Sequence, residues 1–481
     1  MTRCRSAGRN FAWTLCAGLV YAFAQWGVLV LFARLGTVER VGEFALGLAV
    51  TAPVMLMARM QLRALQSTDA RETYGFEHYF GLMALNVLGG VLVCFGIAVV
   101  AGYSASACLV IPLLAVAKGI EALSDVFYGA LQRAERLILI ARSIIAKSLL
   151  SLVLVALALK LTGSAAVAAA ALGLSWAVVL FVFDVPTYRR EFGGMPPWRR
   201  LLEGPWREQG ARLKGLFGLA YALGVTALLG SLRPNIPRYL LEAHAGAAEL
   251  GVYAALAYFS ALGGRVVQAL GQVLNPRLGR YHAAGDSRRF GRTLGAFTGG
   301  AALVGLCAIA GSALLGRQVL TLFYGAAYAR NLGLFVWLMV AAALEYIGVS
   351  LQFALTAARE LKAQMVMLVL SVVVVALASW WWVPRAGPLG AAWALALGWC
   401  TELSCSGWLA LRAWRRLGRK ETALAPGGAE TSVARGEDSA AWATLGESSR
   451  PRAPVGTARG DAGARPGAPQ VPRGGEADPL A

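Results

Sequence analysis

The chain has 481 residues, of which 57% are hydrophobic and 15% charged, and its formal net charge is +19. Soluble domains carry roughly 25% charged residues, so a soluble fold of this length would have more apolar surface than it can bury. Nucleic-acid binding, the usual reading of such a charge, is set aside because Lys and Arg cluster in short connectors between apolar blocks, where they set membrane orientation.

The blocks are about 20 residues long, the length of helix that crosses a hydrocarbon core of about 30 Å. The first follows Arg3, Arg5 and Arg9 and runs through Leu35. Ala22, Phe23 and Ala24 imitate a signal-peptide cleavage site, but the run is too long for a signal core and predicts an uncleaved first span. Further blocks at 42–62, 79–101, 107–131, 138–161, 165–186, 215–232, 250–274, 293–315, 331–356, 363–384 and 387–411 predict an all-α polytopic membrane protein with about twelve spans. The seventh is predicted to end at Leu232, because Pro234 and Pro237 each remove a backbone donor. Residues 233–249 then form the longest outer connector.

Counted on alternate sides, Lys and Arg favour the side holding the N-terminus by roughly three to one, so both termini are expected in the cytoplasm. The expected organisation is a six-helix lobe over 1–186, a basic cytoplasmic linker over 187–214, a second six-helix lobe over 215–412 and a cytoplasmic tail over 413–481. The Gly-, Pro- and Arg-rich tail is too poor in apolar residues to offset the entropy of ordering, and is expected to be largely disordered. The seven Cys have no CxxC spacing and read as small core residues.

Two stretches recur in order. Val41 to Leu46 matches Leu250 to Ala255, pairing Gly42 with Gly251 and Phe44 with Tyr253. Glu121 to Glu135 aligns with Glu345 to Arg359. Copies in the same order at even separation predict two parallel-repeat lobes about an axis along the membrane normal, a plan that suits a rocking transporter with its substrate between the halves.

Ionisable groups inside spans are costly and normally face a cavity or a partner. Lys118, Glu121, Asp125 and Gln132 share one helical face. Either that face walls a cavity, with Lys118 drawing an anionic head group and Glu121 or Asp125 carrying a proton or ion, or Lys118 and Glu121 neutralise each other and fix packing. Arg265 shares a face with Gln268, Gln272 and Asn275 and has no acid in its own span, which suits a phosphate contact. Arg59 and Arg63 end the second span, where arginines commonly snorkel to the head groups. Lys147 lies mid-span between Ser143 and Ser151, too deep to snorkel. Glu345 and Glu402 are the buried-acid candidates of the second half. The expected substrate-binding residues are Lys118, Arg265, Lys147 and Arg63, and the expected ion-coupling residues are Glu121, Asp125 and Glu345. Fixed positive charge in excess favours an anionic substrate, such as a pyrophosphate-linked lipid, over a cationic drug.

There is no GxxxxGK[ST] motif to support direct ATP drive. His78, His244 and His282 fall in predicted connectors without HExxH spacing, so no metal, cofactor or catalytic set is expected.

Three stretches carry a family resemblance: Arg34 to Ala70, Glu121 to Arg133, and Arg233 to Tyr258. They resemble the polysaccharide-biosynthesis flippases related to O-antigen translocases, within the multidrug, oligosaccharidyl-lipid and polysaccharide exporter superfamily. The resemblance covers about 11–415. It implies two V-shaped lobes, alternating access and an undecaprenyl-pyrophosphate-linked glycan moved from the cytoplasmic to the outer leaflet of a bacterial inner membrane for surface polysaccharide such as lipopolysaccharide O-antigen or exopolysaccharide. A polysaccharide polymerase and a chain-length regulator would be its partners. Two alternatives are a cation-coupled multidrug exporter of the same superfamily and a membrane glycan polymerase or glycosyltransferase. The latter would need a larger outer loop than 233–249.

Overall fold

The computed structural model describes residues 2–69, 71–193 and 206–424. The expected linker therefore lies partly outside the described residues, and the tail lies outside them beyond Leu424. Apolar segments that leave water must satisfy every backbone group internally, and the described residues do so as helices without a strand. The elements are α1 (Thr2–Leu35), α2 (Val38–Arg59), α3 (Leu62–Thr68), α4 (Phe76–Val100), α5 (Ala105–Arg133), α6 (Leu137–Thr162), α7 (Ala165–Val179), a π-turn (Leu180–Asp184) and α8 (Val185–Phe192). They continue with α9 (Trp206–Ala283), α10 (Ser287–Phe323), α11 (Ala326–Ala329), α12 (Leu332–Ala357) and α13 (Leu361–Leu424).

Ten of the described helices are long and apolar enough to cross a membrane. Two are far too long for one passage, with spans of 76 and 52 residues in α9 and α13, and each contains one non-helical glycine. At Gly246 (φ 81°) and Gly387 (φ 54°) the backbone takes positive φ, which glycine adopts without a Cβ clash. The chain doubles back there. Before Gly246 the order of contacts runs against α2, with Gly224 beside Met57 and Tyr239 bonded to the Ala49 carbonyl (2.5 Å). After it Gly251 meets Val38 and Gly42, parallel to α2. In α13, Gly390 packs on Trp382 and Gly398 on Val375, again a hairpin.

One expectation fails at this point. Pro234 and Pro237 do not stop the seventh span, because α9 runs through both to Gly246. Membrane helices tolerate proline when nearby groups take up the freed backbone positions. Here the Asn235 amide donates to the Ser231 carbonyl within the same stretch (2.8 Å). Residues 233–245 are thus membrane helix, and the expected outer loop shrinks to a turn at Gly246.

The largest buried cluster forms where α2 meets α9, with Leu46, Val50 and Met55 against Leu241, Leu250 and Tyr253, continued by Tyr324, Phe335 and Met339. Its tightest point is a glycine crossing. A Cβ on Gly42 would collide with the Ala247 carbonyl, and one on Gly251 with the Val38 carbonyl and, at 2.9 Å, the Gly42 nitrogen. The two glycines matched by the sequence repeat therefore touch each other. On the same face of the bundle, Arg34 at the end of α1 donates to the carbonyls of Thr321 (2.9 Å), Leu322 and Phe323 (3.0 Å) and so caps α10. The cysteines are not uniformly core residues: Cys94 is buried, whereas Cys16, Cys307 and Cys400 are exposed on the apolar exterior.

Candidate functional site

The shared face of α5 is the starting point. Glu121 accepts from Lys118 Nζ (3.1 Å), from Arg59 Nη2 (2.7 Å) and from the Tyr21 hydroxyl (2.6 Å). One turn on, Asp125 faces Arg59 Nη1 (3.3 Å) and Arg63 Nη1 (3.5 Å), and Arg63 Nε donates to Gln132 (3.1 Å). Arg59 thus does not snorkel. Gly-free turns at Met60 (φ 45°) and Gln61 (φ 53°) separate α2 from α3 and hold Arg59 and Arg63 against α5. Three cations face two carboxylates, which leaves one net positive charge on side chains 16–35% exposed. Lys118 and Glu121 pair, as one of the two readings of this face expected, and both side chains stay partly exposed. Lys118 also lies 4.8 Å from the Trp176 ring centre.

Lys147 differs from its expected role as a free cation for substrate. Its Nζ donates to Asp184 Oδ2 (2.7 Å) and to the Tyr128 hydroxyl (2.8 Å). Ser143 closes the ring, bonding Asp184 Oδ1 (2.5 Å) and the Tyr128 hydroxyl (2.7 Å). Lys147 and Asp184 are both buried. The π-turn adds a residue before Pro186 and turns Asp184 inward, which a count at 100° per residue along the apolar block does not reveal.

A second charged site was not legible as one. A cavity of about 350 Å³ lies between α1, α2, both stretches of α9, α12 and α13. Its polar wall is Arg233, Arg238, Tyr253, Tyr258, Ser260 and Glu345. Arg233 ion-pairs with Glu402, which also accepts from Gln352, and its guanidinium stacks 3.4 Å from the Trp399 ring centre. Arg238 donates to Asn235 Oδ1 (3.1 Å) and has no carboxylate partner among the described residues. Of the seven expected site residues, Glu345 alone lines this cavity, where it lies within electrostatic reach of Arg233. Arg265 is exposed on α9, seven residues beyond Tyr258, and does not line it. The missed residues had weak signals: Arg233 and Arg238 were assigned to a loop on account of two prolines, and Asp184 was the lone acid of an apolar block.

Among the described residues, no group of three or more His, Cys, Asp or Glu is placed to hold a metal ion. His78 is buried at the start of α4, where its ring accepts from the Gly75 N–H (3.1 Å), and is not a loop residue.

A family model described as polysaccharide biosynthesis protein matches residues 7–282, more than half of the chain. The chain belongs to that family. A Staphylococcus aureus relative, the capsular polysaccharide biosynthesis protein CapF, is 25% identical over 323 residues, covering 67% of this chain and 78% of the relative. The fold resembles that of the lipid II flippase MurJ in an inward closed conformation, with TM-score 0.64 and 10% identity over 89% of this chain and 94% of that one. It also resembles a Pyrococcus furiosus transporter of the MOP superfamily (TM-score 0.58, 16% identity, 86% and 95% covered) and the Vibrio cholerae MATE transporter VcmN (0.57, 14%, 86% and 97%). At these identities the likeness concerns fold. The protein is a multi-pass, all-α membrane protein of polysaccharide biosynthesis.

Proposed function

We propose that the chain is a flippase that moves an undecaprenyl-pyrophosphate-linked oligosaccharide from the cytoplasmic to the outer leaflet of a bacterial inner membrane, by alternating access and without catalysis. The observation that carries this reading is the net-positive cluster of Arg59, Arg63 and Lys118 over Glu121 and Asp125, part-exposed inside the spans. Charge facing hydrocarbon costs about 2.5–3.5 kcal/mol per residue on insertion scales, so the cluster faces a water-filled vestibule and suits an anion. Arg265, exposed on α9, offers a further cation from the second half, and the polyprenyl chain stays in lipid. The family, and a fold shared with a flippase of a lipid-linked glycan precursor, agree with this cargo.

In this reading α9 and α13 each cross twice, making twelve spans in two six-helix lobes about the Gly42–Gly251 contact, with both termini cytoplasmic. The Gly246 face is then the outer one. The glycine crossing, the Arg34 cap and the Tyr239 bond to α2 close that face, so this state takes substrate from the cytoplasm. Glu345, with no ion-pair partner of its own, is the ion-coupling residue. The product serves a polysaccharide polymerase and its chain-length regulator.

The test is protease-protected lectin labelling of undecaprenyl-linked oligosaccharide in inner-membrane vesicles from cells with and without the protein. Trapping of the glycan on the cytoplasmic face in its absence is the expected result. Single units that reach the outer leaflet but stay unpolymerised would instead favour a polymerase. Unchanged glycan with altered efflux of cationic drugs would favour an exporter.

A further inference from the structure

The cavity beneath Gly246 holds donors that nothing among the described residues answers. Arg233 faces two carboxylates, Glu402 in direct contact and Glu345 across the cavity. Among the described residues Arg238 faces none, and its Nε has no hydrogen-bond partner. Tyr253, wholly buried, lines the same cavity with its hydroxyl unpartnered, within electrostatic reach of Arg238. A buried donor without an acceptor costs about 1–3 kcal/mol, and more when charged. Two such donors retained side by side point to an acceptor that arrives from outside.

Its chemistry follows from theirs. Arginine offers a planar fork of N–H donors with permanent charge and the tyrosine adds an O–H, a set matched to phosphoryl oxygens and poorly matched to neutral sugar hydroxyls. Depth adds a second constraint. Arg238 lies eight residues before Gly246 and Tyr253 seven after it, about 10–12 Å below that face at 1.5 Å per residue. Arg59 lies at the far end of α2, about 30 Å from the same face. A head group held only at Arg59, Arg63 and Lys118 would have most of the membrane still to cross.

Resting on the flippase reading above, we propose that Arg238 and Tyr253 form a second phosphoryl-binding site, to which the pyrophosphate of the cargo passes from the Arg59–Arg63–Lys118 cluster on its way to the outer face. The α2–α9 glycine crossing lies between this site and the Gly246 face in the present state.

The experiment uses the purified full-length chain, with undecaprenyl pyrophosphate lacking any glycan as probe and undecaprenol as neutral control, read by titration and by thermal melting. Arg238→Gln should weaken pyrophosphate-lipid binding by about tenfold or more and leave undecaprenol binding unchanged. Tyr253→Phe carries a sign that a structural role cannot mimic. Removing an unanswered buried hydroxyl should raise the melting temperature of the empty protein while weakening probe binding by about threefold. If Arg238→Gln does not fold, Tyr253→Phe decides alone. A wild type that binds no pyrophosphate lipid overturns the flippase reading and this site with it. Wild-type binding that neither variant changes overturns this site only.

Discussion

Lys147, Asp184, Ser143 and Tyr128 close a ring in which each polar group has a partner, whereas in the cavity beneath Gly246 the Arg238 Nε and the Tyr253 hydroxyl have no hydrogen-bond partner among the described residues. Both regions lie between helices of the same bundle and both are shielded from water. The difference is one of purpose. A satisfied buried network locks helices in register, because any rearrangement would expose an unpaired charge. An unsatisfied one sacrifices stability for donors already aimed when a ligand enters. The cluster of Arg59, Arg63 and Lys118 over Glu121 and Asp125 stands between these extremes, since its groups are paired yet one positive charge remains in excess.

The contrast is most exposed to failure at the ring. Lys147→Ala strands Asp184 and should cost about 3–5 kcal/mol in thermal melting of the purified protein, while Lys147→Met combined with Asp184→Leu should recover most of that loss. A single variant that melts like wild type would show that the ring does not lock α6 to α7. At the crossing that seals the cavity, Gly42→Ala forces a methyl group into the Ala247 carbonyl and should cost about 1–3 kcal/mol by the same measurement. It should also raise labelling of cysteines introduced around the cavity; unchanged labelling would remove the crossing from its sealing role.

Arg34→Ala removes the cap on the C-terminus of α10 and should cost about 1 kcal/mol. Arg34→Lys should restore part of it, and no difference between the two variants would assign the effect to the guanidinium's hydrogen bonds and none of it to charge. Glu345→Gln should behave opposite to Lys147→Ala, melting within about 1 kcal/mol of wild type or slightly above it, because a half-buried acid that faces Arg233 only across the cavity loses mainly its desolvation penalty. A large loss would mean that Glu345 has a structural partner, and would erase the contrast.

The smallest effect lies in the α3–α4 connector. Burial alone would raise the Asp69 carboxyl, but the N–H groups of Thr73 (3.1 Å) and Tyr74 (3.3 Å) and the Tyr79 hydroxyl (3.3 Å) outweigh it and hold the carboxyl below its ordinary value. A depressed folded value means that this contribution is complete above the unfolded value of about 3.9 and is lost as pH falls through the lower folded one. Hydrogen exchange at Thr73 and Tyr74 should rise in that acid window relative to the chemical rate, and Asp69→Asn should abolish the step.

Much of the bundle was readable along the chain because a bilayer makes each span announce itself: about 20 apolar residues, charges at the ends and an internally bonded helix. The membrane class, the helical blocks, the family and the shared face of Lys118, Glu121 and Asp125 all follow from that local arithmetic. Helical spacing, however, states which residues share a face and never which helix meets it. That Arg59 turns to Glu121 and Asp125, that Lys147 already holds Asp184 across a π-turn, and that Pro234 and Pro237 sit inside a helix bringing Arg233 and Arg238 to a cavity were decided by contacts between residues 37 to 169 positions apart. Such pairings carry no local period, and only the packed bundle chooses among them.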